Sequence, residues 1–134
     1  MKLELLLYFA AAAQLGIAIL NLFIVRLLDW RSELNRMPLL LREVFTVHAW
    51  FISVTLTIFA AITLRFAPEI ATGSAEIFRW FGACVGLFWG FRTILQVAYY
   101  SSSHWRGQPK RLLAHLTLLV LYGGFAATYL CVAL

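Results

Sequence analysis

The feature that most limits the fold of this chain is a set of four long apolar runs that are almost free of charge. They cover residues 5–25, 44–64, 80–100 and 112–134. An α-helix rises about 1.5 Å per residue, so roughly 20 apolar residues cross the hydrocarbon core of a bilayer. Each run is therefore long enough to form a transmembrane helix. We predict an all-α integral membrane protein whose four transmembrane helices form an up-and-down bundle.

The composition also indicates that lipid, rather than water, surrounds most of the chain. Hydrophobic residues make up 63% of the 134 residues, and charged residues make up 13%. Soluble domains average about 45–50% and about 25%, so this chain has too few polar side chains to cover a soluble particle. Disordered and disulfide-scaffold classes are excluded by the same composition. We expect a single transmembrane domain, residues 1–134, with helices at about 4–27, 38–66, 75–103 and 110–134.

The distribution of basic residues predicts the orientation of these helices. Up-and-down connection places the first and third loops on one side, and the positive-inside rule assigns such basic loops to the cytoplasm. Both termini are then extracytoplasmic, in what we expect to be a bacterial inner (plasma) membrane. The two loops carry seven cations that we expect to contact anionic lipid headgroups: Arg26, Arg31, Arg36, Arg42, Arg106, Lys110 and Arg111. No loop is large enough to form a nucleic-acid-binding face.

A few polar or ionisable side chains lie inside the apolar runs, where they are costly and are therefore candidates for function. They are Gln14, Asn21, His48, Arg92, Gln96 and His115. Counted from the cytoplasmic end, Asn21, His48, Gln96 and His115 lie roughly 6–10 Å below the boundary at about 1.5 Å per residue. Arg92 lies one turn deeper, on the same face as Gln96. The sequence thus predicts one polar layer in the inner leaflet.

Helical periodicity predicts the inward face of three of the helices. These faces carry Ala10, Gln14, Ala18 and Asn21 on the first helix, Phe88, Arg92, Gln96 and Tyr99 on the third, and His115, Tyr122 and Tyr129 on the fourth. The second helix is ambiguous, because His48 and Ser53 lie on opposite faces. Serine can bond back to its own helix, so we orient this helix with His48 inward.

The sharpest functional hypothesis is a b-type haem or quinone site used in membrane electron transfer. A bis-histidine haem needs two imidazoles at matched depth on facing helices, and His48 and His115 are predicted as its iron ligands. Arg92 would balance the charge of the propionates. The predicted cofactor-binding set is His48, His115, Arg92, Gln96, Asn21 and Tyr99. In its two ligand helices the arrangement resembles four-helix membrane cytochromes b, although no extended motif assigns the chain to that family.

Two other classes of function stay open at this point. A non-catalytic accessory or assembly subunit would use Arg92 to bind a carboxylate of another membrane subunit. Gly82, Gly86 and Gly90 form a ridge of small residues that packs closely against the fourth helix or against another subunit. A small transporter, acting as an oligomer, would line its path with Arg92 and Gln96. No nucleophile–base–acid arrangement typical of hydrolases is present in the sequence.

The two cysteines have two interpretations. Cys84 and Cys131 both lie near the outer boundary on the third and fourth predicted helices. A disulfide between them is geometrically feasible on the oxidising side of the membrane. The alternative is that both are small, buried hydrophobic residues.

Overall fold

The computed structural model describes residues 2–100, 103 and 106–134 of the chain. Over these residues it contains no strand, and its helices are α1 (Lys2–Leu27), α2 (Arg31–Arg36), α3 (Leu39–Thr72), α4 (Glu76–Ala98) and α5 (Pro109–Ala133). The four helices other than α2 are long and apolar enough to cross a membrane. The predictions of an all-α class and of four such helices are therefore confirmed.

The helices in the structure differ from the predicted ones at three places. The predicted end of the second helix at 66 coincides with a kink in α3, where Phe66 leaves helical geometry (φ −122°, ψ 21°), and further helical residues follow up to Thr72. Pro68 lacks a backbone N–H and cannot complete the helical hydrogen-bond pattern, which explains the kink two residues before it. The predicted third helix, α4, ends at Ala98 rather than at 103, and residues 101 and 102 lie outside the described residues. The six-residue α2 was not predicted.

The chain divides into two compact units, Tyr8–Phe66 and the combination of Met1–Leu7 with Ala67–Leu134. In the first unit α1 and α3 are joined by polar side chains. Asn21 Nδ2 donates to the Ala49 carbonyl at 2.7 Å and to Ser53 Oγ at 3.0 Å. Ser53 Oγ in turn donates to the Ala18 carbonyl at 2.9 Å. We call these three hydrogen bonds the Asn21 clasp.

The buried faces of α1 and α3 carry small or polar residues. Ala10, Gln14 and Ala18 are all buried on α1, as their spacing predicted. On α3 the buried residues between its start and the distortion at Phe66 are Ser53, Leu56, Ala60 and Thr63. Small side chains allow two helix backbones to approach closely, and hydroxyl groups can bond across or along the helices.

In the second unit α4 and α5 pack side by side and antiparallel. Added to the backbone, a Cβ at Gly82 would lie 2.8 Å from the Tyr129 carbonyl oxygen, and one at Gly86 would lie 2.7 Å from Leu130 Cγ. A Cβ at Gly90 would meet nothing within 4 Å. Two glycines of the predicted ridge therefore lie in the α4–α5 contact, and the third faces open space.

Candidate functional site

Polar side chains predicted on the third and fourth spans meet between α4 and α5. Arg92 Nη1 donates to Gln96 Oε1 at 2.9 Å, and Gln96 Nε2 lies 2.8 Å from His115 Nδ1. Gln96 is buried, whereas Arg92 and His115 are half-buried. We call these three residues the Arg92 network. It joins a guanidinium, an amide and an imidazole in one chain of hydrogen bonds.

Two properties of the helices bring the Arg92 network together. Arg92 and Gln96 are four residues apart on α4, so they lie on the same face and their side chains can touch. On α5, His115 lies one heptad before Tyr122, which is buried at the contact with α4. Because the two helices run antiparallel, the end of α4 meets the beginning of α5. The register between them then places Gln96 opposite His115.

The guanidinium of Arg92 also lies against aromatic rings. Its Cζ atom is 4.8 Å from the centroid of the Tyr122 ring and 5.8 Å from that of Tyr100. Trp89 is 2% exposed and stacks on the Tyr122 ring, with the two ring centroids 5.1 Å apart and the ring planes at 24° to each other. Cations within about 6 Å of a ring centroid are attracted by its π electrons. Tyr122 therefore links Arg92 to the aromatic core of the unit.

The positive charge of Arg92 has no carboxylate partner in the part of the chain that the structure describes. The one ion pair among these residues joins Arg36 and Glu33 on α2, far along the chain. Among the described residues, the neutral side chains of Gln96, Tyr100 and Tyr122 thus contact the Arg92 guanidinium. An arginine has several N–H donors, so the hydrogen bond to Gln96 leaves it with further donors.

His48 is placed differently from the sequence prediction. It belongs to the other unit and is exposed on α3, with Nδ1 2.9 Å from the Val44 carbonyl of its own helix. The structure reverses the predicted orientation of α3, because Ser53 is on the buried face. The physical reason is that the small hydroxyl side chain permits close approach of α1, while the backbone carbonyl at Val44 gives the imidazole a partner on its own helix.

Of the predicted cofactor-binding set, Arg92, Gln96 and His115 come together. Asn21 belongs to the Asn21 clasp, where its amide donates to α3. Tyr99 is 81% exposed and lies edge-on to Tyr100, outside the network. Sequence reasoning missed Trp89 and Tyr100 as neighbours of Arg92. The signal for Trp89 was its position three residues before Arg92, on the same face of the helix.

Cys84 and Cys131 are both free thiols, and both are exposed. The disulfide considered from the sequence is therefore not formed. The alternative interpretation, small buried hydrophobic residues, is corrected as well. Both cysteines lie on helix faces that point away from the α4–α5 contact, where Gly82, Gly86 and Tyr129 take up the space.

Within residues 2–100, 103 and 106–134, no group of three or more His, Cys, Asp or Glu side chains is arranged to hold a metal ion. Comparison of the chain with protein-family models, curated proteins and solved structures finds no significant match.

Proposed function

We propose that this chain is a small integral membrane subunit of an electron-transfer system, and that it binds a quinone at the Arg92 network. The observation that carries the proposal is the half-buried guanidinium of Arg92, which makes no ion pair within the described residues and donates to a neutral amide. A quinone supplies what this group lacks, because its carbonyl oxygens are hydrogen-bond acceptors. Its apolar ring and tail also dissolve in lipid.

The surroundings of Arg92 suit an aromatic carbonyl ligand. Tyr122 and Tyr100 provide ring faces beside the guanidinium. A ligand ring can pack on such faces while its oxygen accepts from Arg92, which combines apolar burial with a charge-assisted hydrogen bond. Arg92 lies about 9 Å from the end of α4 at about 1.5 Å per residue, so in the proposed membrane the ligand headgroup would lie close to the inner boundary.

Haem is less well supported by the same residues. A bis-histidine haem needs both imidazoles at the ring, and His48 is exposed on α3 with a hydrogen-bond partner on its own helix. The quinone half of the hypothesis needs neither His48 nor a metal. It uses only the residues that α4 and α5 bring together.

The direct test is quenching of tryptophan fluorescence by added quinone. Trp89 stacks on Tyr122, beside Arg92, and an oxidised quinone in contact with an excited indole accepts an electron and quenches it. Short-chain benzoquinone and naphthoquinone would be titrated into the purified protein in lipid nanodiscs. We expect saturable quenching that is largely absent from Trp89→Phe.

Substitution of Arg92 tests whether the network provides the binding energy. A hydrogen bond to a charged donor contributes about 1.5–3 kcal/mol, so Arg92→Leu should weaken quinone binding about tenfold or more. Arg111→Leu is the matched control, because it removes an equal charge from an exposed position at the start of α5. Non-saturable quenching, or equal affinities of the Arg92→Leu and unmodified proteins, would contradict the proposal.

An absorption spectrum distinguishes the quinone from haem. Protein purified from cells supplied with haem should show no Soret band. A Soret band that disappears in both His48→Ala and His115→Ala would contradict the quinone proposal and would identify a haem with these two histidines as its ligands.

The uncompensated charge of Arg92 also favours a second candidate function, that of an accessory subunit. A carboxylate on another membrane subunit would neutralise the guanidinium and would accept its hydrogen bonds in place of a ligand oxygen. In that case Arg92→Leu would release the chain from a larger assembly on native gels of solubilised membranes, and Arg92→Lys would retain it. An unchanged assembly in Arg92→Leu would exclude this second function.

The basic residues at the loops support residence at an anionic membrane surface. Exposed cations of this set are Arg26, Arg31, Arg36, Arg106, Lys110 and Arg111. Arg42 is half-buried and donates to Asn35 Oδ1 at 3.3 Å. Exposed cations beside an apolar span are attracted to anionic lipid headgroups by about 1 kcal/mol each. These contacts would hold the proposed subunit with its basic loops in the cytoplasm.

A further inference from the structure

The direction of the hydrogen bonds in the Arg92 network determines which nitrogen of His115 carries the proton. A guanidinium can only donate, so the atom of Gln96 that faces Arg92 at 2.9 Å must be the amide oxygen. The NH₂ group of the same amide then faces His115 Nδ1 at 2.8 Å. An NH₂ group donates, and Nδ1 must therefore accept.

The reverse arrangement would place two donors against each other. If the Gln96 amide were rotated by half a turn, its NH₂ group would face the guanidinium and the charge-assisted bond would be lost. Gln96 is 4% exposed, so water cannot easily satisfy a group that loses its partner there. Arg92 thus orients the amide, and the amide orients the imidazole.

From this geometry we infer that Gln96 is a positioning residue that holds neutral His115 as the tautomer protonated on Nε2, which makes the ring a hydrogen-bond donor to oxygen-bearing ligands. In naming the ligand chemistry, the inference rests on the proposed function. A neutral histidine that binds iron through Nε2 has its proton on Nδ1 and commonly donates it to an acceptor. Here Nδ1 faces a donor. The network therefore selects a carbonyl oxygen, such as that of a quinone, and selects against iron at Nε2.

The tautomer can be read directly by nuclear magnetic resonance of protein labelled with ¹⁵N-histidine in lipid nanodiscs. The His115 signals are assigned by their loss in His115→Asn. At a pH where the ring is neutral, we expect a directly bonded proton on Nε2 and none on Nδ1. A proton found on Nδ1 in the unmodified protein would overturn the inference.

Two substitutions test whether Gln96 is the cause. In Gln96→Glu the carboxylate accepts from Arg92 and from the ring, so the proton should move to Nδ1 or the ring should become doubly protonated. In Gln96→Leu the preference should be lost and both tautomers should be present. Thr117→Val is the control, because that hydroxyl bonds to the Leu113 carbonyl of its own helix, and it should leave the Nε2 proton in place. An unchanged tautomer in both Gln96 variants would remove the positioning role.

The outcomes separate this inference from the proposed function. An Nε2 proton in a protein that shows no saturable quinone quenching would support the positioning role of Gln96 and contradict quinone binding. Quinone binding in a protein with the proton on Nδ1 would support the proposed function and contradict the positioning role of Gln96. If both hold and the proton moves to Nδ1 in Gln96→Glu, this variant should also weaken quinone binding, because Nε2 then offers a lone pair where the ligand needs a donor.

Discussion

At the residue scale, a single amide accounts for much of the polar contact between α1 and α3. Asn21 donates to both the Ala49 carbonyl and Ser53 Oγ, and neither contact is with its own helix. In an apolar surrounding such bonds stabilise a helix pair, because the same groups would find no water if the helices separated. The Asn21 clasp is therefore the part of this unit that a conservative substitution can test.

We expect Asn21→Leu to lower the free energy of unfolding by about 1–2 kcal/mol, because leucine has a similar size but cannot donate. The measurement is unfolding in mixed micelles with increasing denaturing detergent. Thr55→Val is the matched control, since the Thr55 hydroxyl bonds only to the Phe51 carbonyl of its own helix, and it should change stability little. Equal losses in the two variants would show that the clasp has no special role.

His48 and Ser53 show what the sequence could not decide at this scale. Both are polar residues in one apolar run, and their positions predict opposite faces of the same helix. Either side chain could form a hydrogen bond within its own helix, and in the structure His48 does so, with the Val44 carbonyl. Which residue faces α1 depends on how closely the two backbones approach. That distance is a property of the packed pair and has no local signature in the sequence.

At the element scale, the contact between α4 and α5 depends on two glycines. Gly82→Ala would place a Cβ 2.8 Å from the Tyr129 carbonyl oxygen and 2.8 Å from Val132 Cβ. The backbone cannot move aside as easily as the end of a flexible side chain. The helices would have to separate, and this would also disturb the stacking of Trp89 on Tyr122 further along the contact.

We expect Gly82→Ala to lower the stability of the protein by about 1–3 kcal/mol, the usual cost of overpacking. Gly86→Ala should cost a similar amount, because its Cβ would lie 2.7 Å from Leu130 Cγ and 3.0 Å from the Leu130 backbone nitrogen. Gly90→Ala meets open space and should be neutral or stabilising by up to about 1 kcal/mol, since alanine is the better helix former. The same detergent unfolding measures all three, and a cost at Gly90 equal to that at Gly82 would contradict this account.

The elements themselves were largely predictable, with two exceptions. Long apolar runs predicted α1, α3, α4 and α5, because helix formation in such runs depends on local length and composition. The end predicted at 66 coincides with the kink at Phe66, but the helical residues after it, up to Thr72, were missed because Pro68 indicates a boundary in the sequence. The short α2 was missed because its six residues include one apolar side chain, Leu34, and so carry no apolar periodicity.

At the scale of the whole molecule, the proposed orientation in the membrane can be tested by reporter fusions. Alkaline phosphatase is active only outside the cytoplasm, whereas a green fluorescent protein exported in unfolded form does not fluoresce there. We expect an alkaline phosphatase fused after Leu134 to be active and a fluorescent protein at the same site to be dark. Insertion of either reporter after Arg106 should give the opposite result.

The physical reason for this expectation is the distribution of charge. Seven of the eleven basic residues lie in, or within a few residues of, the connections between α1 and α3 and between α4 and α5, and cationic loops are retained in the cytoplasm. Replacement of Arg106, Lys110 and Arg111 by glutamine should weaken the preference and give mixed reporter signals. A fluorescent carboxyl terminus in the unmodified protein would reverse the orientation and move the Arg92 network to the outer side.

The sequence by itself determined that the chain is all-helical and which four segments are long and apolar enough to cross a membrane. It also determined that Arg92 and Gln96 share a face, because these properties depend on neighbours along one helix. Only the tertiary structure decided that Gln96 meets His115, that His48 is exposed on α3, and that Gly90 faces open space. Those outcomes depend on the rotation and register of one helix against another. A shift of a single turn would separate the amide from the imidazole without changing any local pattern.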